Sequence, residues 1–232
     1  MAYLVGQNAT HYFELGTLSM SDDNAAMAGA TRAEEDCGLH GFQIVSRVMD
    51  HELSDALFDP LYCQPVKLNT MLMIQPLGFS HGQRLADFFM GNPMGQPLEE
   101  IMATNHLIFG AVLDRHLKRR ILIMHRGNYF PFFVGRMDHA WAYRHQLKCR
   151  TSKRPSDYPS SLSYDTCVFR RDHLKTLVDV AGADRVMLVS DFLFDIGDPY
   201  PLETVEKAGL TPEARKKVCS ETAHGFFRMP QS

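Results

Sequence analysis

Short apolar or β-branched runs recur along the chain, each followed by a longer stretch in which apolar positions return every three or four residues. The runs are Tyr12–Leu15, Phe42–Val45, Met71–Ile74, Ile121–Met124, Ser163–Val168 and Val186–Val189. Their length predicts strands, and several are apolar throughout, which suits strands buried on both faces of a parallel sheet. Between them the spacing predicts helices at Asp22–Asp36, from Pro97 onward, at Phe130–His145 and at Arg171–Ala181. The helix opened by Pro97 is the clearest. Leu98, Ile101, Met102, Ile108, Phe109, Val112 and Leu113 fall largely at i, i+3, i+4 spacing behind a proline and two first-turn acids, Glu99 and Glu100. Ser21 or Asp22 is suited to cap the Asp22–Asp36 helix by accepting from N–H groups that its opening turn leaves unpaired. Pro76–Pro97 and Lys148–Pro159 read as loops. Six β-α units in succession, without a repeat or linker, predict a single α/β domain over residues 1–232 with one parallel sheet, either a barrel or doubly wound.

Composition narrows the partners. The 232 residues carry 24 Lys+Arg against 27 Asp+Glu, and this near-neutral balance without a basic block argues against nucleic acid as the main partner. No apolar run approaches the roughly 18 residues of a membrane span. The first residues, Met1-Ala-Tyr-Leu-Val-Gly-Gln-Asn8, lack the basic and apolar regions of a signal peptide. Cys37, Cys63, Cys149, Cys167 and Cys219 are odd in number and widely spaced, which predicts reduced thiols and a cytoplasmic location.

Motif by motif, several chemistries drop out. Gly91-Asn-Pro-Met-Gly95 has prolines around its glycines and no strand directly before it, so it reads as a turn, not a phosphate loop. No G-x-x-x-x-G-K or G-x-S-x-G occurs, which disfavours phosphoryl transfer and the α/β-hydrolase mechanism. What remains is polar chemistry at strand ends. Gln75 ends the third run, His125 the fourth, Asp165 lies within the fifth and Asp191 ends the sixth. In a (β/α)₈ barrel such residues converge on the axis at the carboxyl ends of the strands.

The stretch from His125-Arg-Gly-Asn-Tyr-Phe-Pro-Phe-Phe-Val-Gly-Arg136 to Met-Asp-His139-Ala-Trp141 resembles the segment after the sixth strand of the metal-dependent decarboxylases of the amidohydrolase superfamily. The closest type is the 2-amino-3-carboxymuconate-6-semialdehyde decarboxylase family. Phe13–Met20, Gly41–Ile44, Met73–Pro76, Ile108–Arg115 and Gly182–Pro199 resemble further segments of it in the same order. The resemblance implies a TIM-barrel-like fold, here holding about six β-α units, and decarboxylation of a small aromatic or muconate-type carboxylate. It implies a divalent metal, usually zinc, for which Asp191 matches the aspartate ligand at the end of the eighth strand. It also implies that His125 serves as the sixth-strand histidine that assists a metal-bound water or protonates the substrate carbon. Arg136, eleven residues on, matches an arginine that reaches into the partner subunit of a dimer to anchor a carboxylate.

The chain departs from that pattern in places. It begins at what resembles the third strand, so the first-strand His-x-His is not in it, and Gln75 stands where a metal-binding histidine is expected. Arg126-Gly127-Asn128 replaces three glycines, and Glu221-Thr222-Ala223 replaces Gly-Asn-Ala. Gln75 offers only a neutral amide oxygen, a poor zinc ligand. His81, His106, His116, His139 and His145 have no metal-ligand spacing. Three expectations follow: a carboxy-lyase using His125 and Arg136; a non-catalytic relative that dimerises or pairs with a full-length relative; or a metal-free hydrolase or anion-binding protein using Arg126 and Arg136. Against the roughly 250 residues of a complete barrel, the strand count predicts about three-quarters of one.

Overall fold

The computed structural model describes residues 12–18, 20, 26, 28–33, 39, 41–68, 71–78, 82–116, 120–151, 153–167 and 169–229. Of the Asp22–Asp36 helix, residues 26 and 28–33 are described and are helical; its remainder and both cap candidates lie outside the described residues, as do Met1–Asn8, His81 and Val168. Strands β1 (Gly16–Thr17) and β2 (Gly41–Ile44) lead to a small antiparallel hairpin, β3 (Arg47–Val48) and β4 (His51–Glu52). Helix α1 (Asp59–Leu68) precedes β5 (Met71–Ile74), and α2 (Gln96–Phe109) and α3 (Val112–Arg115) precede β6 (Ile121–Ile123). Helices α4 (Phe130–Tyr143) and α5 (His145–Lys148) follow, then β7 (Ser163–Asp165), α6 (Arg171–Ala181) and β8 (Val186–Met187). The chain closes with α7 (Pro201–Glu206), α8 (Pro212–Lys216) and α9 (Thr222–Phe227).

The six strands β1, β2, β5, β6, β7 and β8 form one parallel sheet in chain order. A doubly wound sheet reverses direction at a switch point. This one does not, so of the two architectures expected it is the barrel type. Registers such as Leu72 opposite Ile121 and Ile74 opposite Ile123 align one side chain layer, while Met73 opposite Leu122 aligns the other. Phe42, Ile44, Leu72, Ile74, Ile121, Ile123, Tyr164 and Val186 pack outward with Leu107, Ile108, Leu174 and Leu177 of the helices. On the inner face Met71, Leu122, Met124 and Met187 form a second cluster, closed from below by Phe226 of α9. The guanidinium of Arg120, just before β6, donates to the carbonyl of Phe226 and fixes that floor.

Some boundaries differ from expectation for local reasons. Residues Tyr12–Leu15 are not a strand; pairing with β2 begins at Gly16. Val112 and Leu113 do not continue α2, because Ala111 turns left-handed (φ 57°) and starts a new helix. Gly110 makes that break possible: a Cβ there would lie 2.3 Å from Cβ of Ser54. The hairpin β3–β4, helix α1 with its internal prolines, and the helices after β8 had no periodic signal strong enough to mark them.

Candidate active site at the carboxyl ends of the strands

The chain leaves β6 through Met124 into His125, Arg126, Gly127 and Asn128, all four with positive φ (48°, 60°, 65° and 51°). For non-glycine residues this conformation costs about 1–2 kcal/mol each and persists only where the surroundings enforce it. The enforcing group is Asp165 at the end of β7. Its Oδ1 accepts from the backbone N–H of Arg126 at 2.9 Å and of Cys167 at 2.8 Å, tying the two neighbouring strand ends together. The Tyr164 ring lies directly beneath Gly127, where a Cβ would sit 2.4 Å from it. The turn thereby swings the His125 side chain back toward α2.

There it meets Glu100. The imidazole Nδ1 donates to Glu100 Oε1 at 2.9 Å, and Glu100 is 0% exposed. Burial pushes the Glu100 carboxyl up to about 8, with the facing imidazolium pulling it down and Asp165 adding to the rise. For His125, burial favours loss of the proton, but the hydrogen bond and charge of Glu100, joined by Asp165 and Asp191, outweigh it and raise it to about 9. Oε2 of Glu100 and Oδ2 of Asp165 have no hydrogen-bond partner among the described residues. Burial likewise raises Asp165, against the pull of His125 and its backbone donors.

His125 opens onto a cavity of about 350 Å³ whose wall also includes Arg126, Asn128, Cys167, Asp191, Gln96, Phe89, Phe169 and Ile196. Nη1 of Arg126 donates to Nδ1 of His173 at 2.8 Å, and its guanidinium stacks 4.8 Å from the centroid of Phe132. Burial and the nearby Asp165, Asp191 and Asp198 push the Cys167 thiol far up, so it stays protonated and is no nucleophile. Asp191 sits in a left-handed turn (φ 56°) just after β8, on the cavity wall with His125.

The strand-end residues therefore divide. His125, Asp165 and Asp191 gather at one end of the sheet. Gln75 is held by its N–H to the Ile44 carbonyl at 3.0 Å and is not on the cavity wall. Arg136 is exposed on α4, in a separate shallow groove with Ile101, Asn105, Tyr129 and Phe133, and is not brought to its own chain's His125. His106 binds Ser54, His116 binds Asp59 and His139 packs on Tyr143. Glu100 escaped sequence reasoning because a first-turn acid reads as compensation of the helix dipole; its full burial depends on tertiary packing.

Among the described residues no three His, Cys, Asp or Glu side chains converge to hold a metal ion. Asp191 has no second and third ligand there, and His125 is engaged at Nδ1 by Glu100. This donor set does not fit a resident divalent metal, and no chemical step below is routed through one.

The amidohydrolase family profile matches residues 1–229. The chain belongs to the amidohydrolase family. It is 28% identical over 218 residues to the 2-amino-3-carboxymuconate-6-semialdehyde decarboxylase of Dictyostelium discoideum, covering 94% of this chain and 61% of that protein. With the protein of the same name from Caenorhabditis elegans it shares 24% over 194 residues, 69% of this chain and 48% of the relative. This amidohydrolase-family chain thus spans less than two thirds of either relative. Among solved structures it superimposes on the 5-carboxyvanillate decarboxylase of Sphingomonas paucimobilis with a TM-score of 0.90 at 22% identity, covering 99% of this chain and 70% of that one. A dihydroxybenzoic acid decarboxylase from Polaromonas, crystallised with manganese and 2-nitroresorcinol, gives a TM-score of 0.89 at 18% identity, covering 100% and 73%. These likenesses establish the fold as the TIM-barrel architecture of the amidohydrolase decarboxylases, with six parallel strands in this chain.

Proposed function

We propose that this amidohydrolase-family chain is a carboxy-lyase acting on a small aromatic or muconate-type carboxylate, with His125 as proton donor. The observation that carries the reading is the hydrogen bond from His125 to the buried Glu100 on the cavity wall, which keeps the imidazole protonated at neutral pH. A protonated imidazole is the form needed to deliver a proton to carbon. On a hydroxyaromatic carboxylate, an electron pair of the ring takes that proton at the carboxylate-bearing carbon. The bond to the carboxylate then breaks, its electron pair restores the aromatic ring, and CO₂ leaves. His125 is reprotonated from solvent.

Arg136, exposed away from its own His125, is placed to serve a neighbouring copy, which supports a homodimer or pairing with a longer relative. Free thiols at Cys63, Cys149, Cys167 and Cys219 support a cytoplasmic location, and no helix among the described residues is long and apolar enough to cross a membrane. Zinc, the metal of the family resemblance, has only Asp191 as a matched ligand among the described residues.

The incomplete donor set favours a second reading, a relative that binds carboxylates without turning them over. The two separate in one experiment: incubate the purified chain with 2,6-dihydroxybenzoate and 5-carboxyvanillate in D₂O, with and without added manganese, and follow CO₂ and product deuteration. The carboxy-lyase reading expects CO₂ release with deuterium at the vacated carbon, lost in His125→Asn. No release from a folded chain under either condition, or full release by His125→Asn, overturns it.

A further inference from the structure

The cavity beside His125 contains a second cation that the proposed proton transfer does not use. Arg126 reaches the cavity wall, and among the described residues it forms no salt bridge with any carboxylate. Its one guanidinium hydrogen bond among them goes from Nη1 to a neutral acceptor, Nδ1 of His173. Its face is held against Phe132, 4.8 Å from the ring centroid, which fixes the plane of the group. Arginine carries five N–H donors in a rigid fork, and this arrangement leaves Nε and Nη2 without an acceptor among the described residues. A half-buried, immobilised guanidinium without a counter-ion, beside a cavity rimmed by Phe89, Phe169 and Ile196, is built for an anionic group on an apolar ligand.

We infer that Arg126 is a ligand-binding residue of this chain that recognises a second anionic substituent of an aromatic substrate, making the preferred ligand a dianion such as an aromatic dicarboxylate. The inference rests on the carboxy-lyase reading for its substrate class. The leaving carboxylate must surrender its charge as it becomes CO₂. A guanidinium clamped on that group would hold the ground state back. Arg126 therefore serves the substituent that stays charged, while His125 addresses the carbon that loses CO₂. Two cations in one cavity, at His125 and Arg126, then match two negative charges on the ligand. Asp191 on the same wall sets the end of the cavity that the anions avoid.

The test is calorimetric binding of isophthalate and benzoate, neither requiring turnover, to the full chain and to Arg126→Gln, Arg126→Lys and Arg136→Gln. The wild-type chain is expected to bind isophthalate about tenfold or more tightly than benzoate, the scale of one charge-assisted pair. Arg126→Gln erases that preference, and Arg126→Lys, which keeps charge but not the stacked fork, recovers part of it. A wild-type chain without the preference, or one lost in Arg136→Gln and retained in Arg126→Gln, overturns the assignment. Thermal unfolding of each variant separates loss of binding from loss of fold. Should Arg126→Lys alone fold, its preference against that of wild type decides. An Arg126-dependent preference in a chain that releases no CO₂ sinks the carboxy-lyase reading while leaving this one standing.

Discussion

Two side chains on different elements, Glu100 and His125, set the chemistry of the cavity. Both folded-state values lie above the ordinary ones, about 8 for Glu100 and about 9 for His125. The folded protein therefore holds these protons more tightly than the unfolded chain does. The associated stability is full below the ordinary carboxyl and imidazole ranges and is lost as pH rises toward 9. Thermal stability should fall across pH 6.5–9, and Glu100→Gln should flatten that slope, because a neutral amide no longer supports the imidazolium. An unchanged slope in differential scanning calorimetry would contradict the pairing. CO₂ release, if it depends on the imidazolium, should show an alkaline limb near pH 9 that moves to lower pH in Glu100→Gln. At this scale the sequence was partly legible. His125 and Asp191 could be located because strand-end positions are set by the β-α alternation. Glu100 could not, since its neighbour Glu99 has the same local context and only packing decides which acid faces the histidine.

The turn from β6 into α4 shows how elements impose geometry on one another. Its four left-handed residues are held by a carboxylate from the next strand and a tyrosine ring from that same strand. Gly127→Ala combines an unfavourable φ with a clash against Tyr164 and should cost about 2–4 kcal/mol in chemical denaturation. Asp165→Ala leaves two backbone N–H groups without their acceptor and should cost about 1–3 kcal/mol, with loss of carboxylate binding as the turn relaxes. A cost below about 0.5 kcal/mol for either would mean that the turn holds itself. Element positions followed the sequence where periodicity was uninterrupted: Met71–Ile74 and Arg171–Ala181 fall where spacing places them. Elsewhere contacts overrode pattern. The helix from Pro97 breaks at Ala111 because Gly110 packs against Ser54, a residue far off in the chain. Hairpin β3–β4 is two residues a side, too short for alternation to register.

At the scale of the whole molecule, β1 and β8 are the two ends of the strand order and do not pair with each other among the described residues. Leu188, just past β8, donates its N–H to the Val218 carbonyl, so the segment before α9 covers part of that edge. Phe88, Phe192 and Leu193 near the cavity mouth are 90%, 81% and 86% exposed. Such a rim favours self-association, and Phe192→Ser with Leu193→Ser should lower both dye binding to exposed apolar surface and the sedimentation-derived association constant. Unaltered values would show that the rim is already covered. Phe226→Ala, by opening the floor beneath Met71, Leu122 and Met187, should cost about 3–5 kcal/mol in denaturant titration. A loss under about 1 kcal/mol would place the inner layer's stability elsewhere. That floor has a temporal meaning as well. Phe226 follows every strand in the chain, so during synthesis the methionine-lined interior stands open until some forty residues after β8 have been added. At about 5–20 residues per second this is an interval of seconds in which a nascent half-barrel presents its inside to the ribosome's surroundings. Chaperone dependence should concentrate in that window, on an intermediate whose strands are all made and whose last helix has yet to arrive.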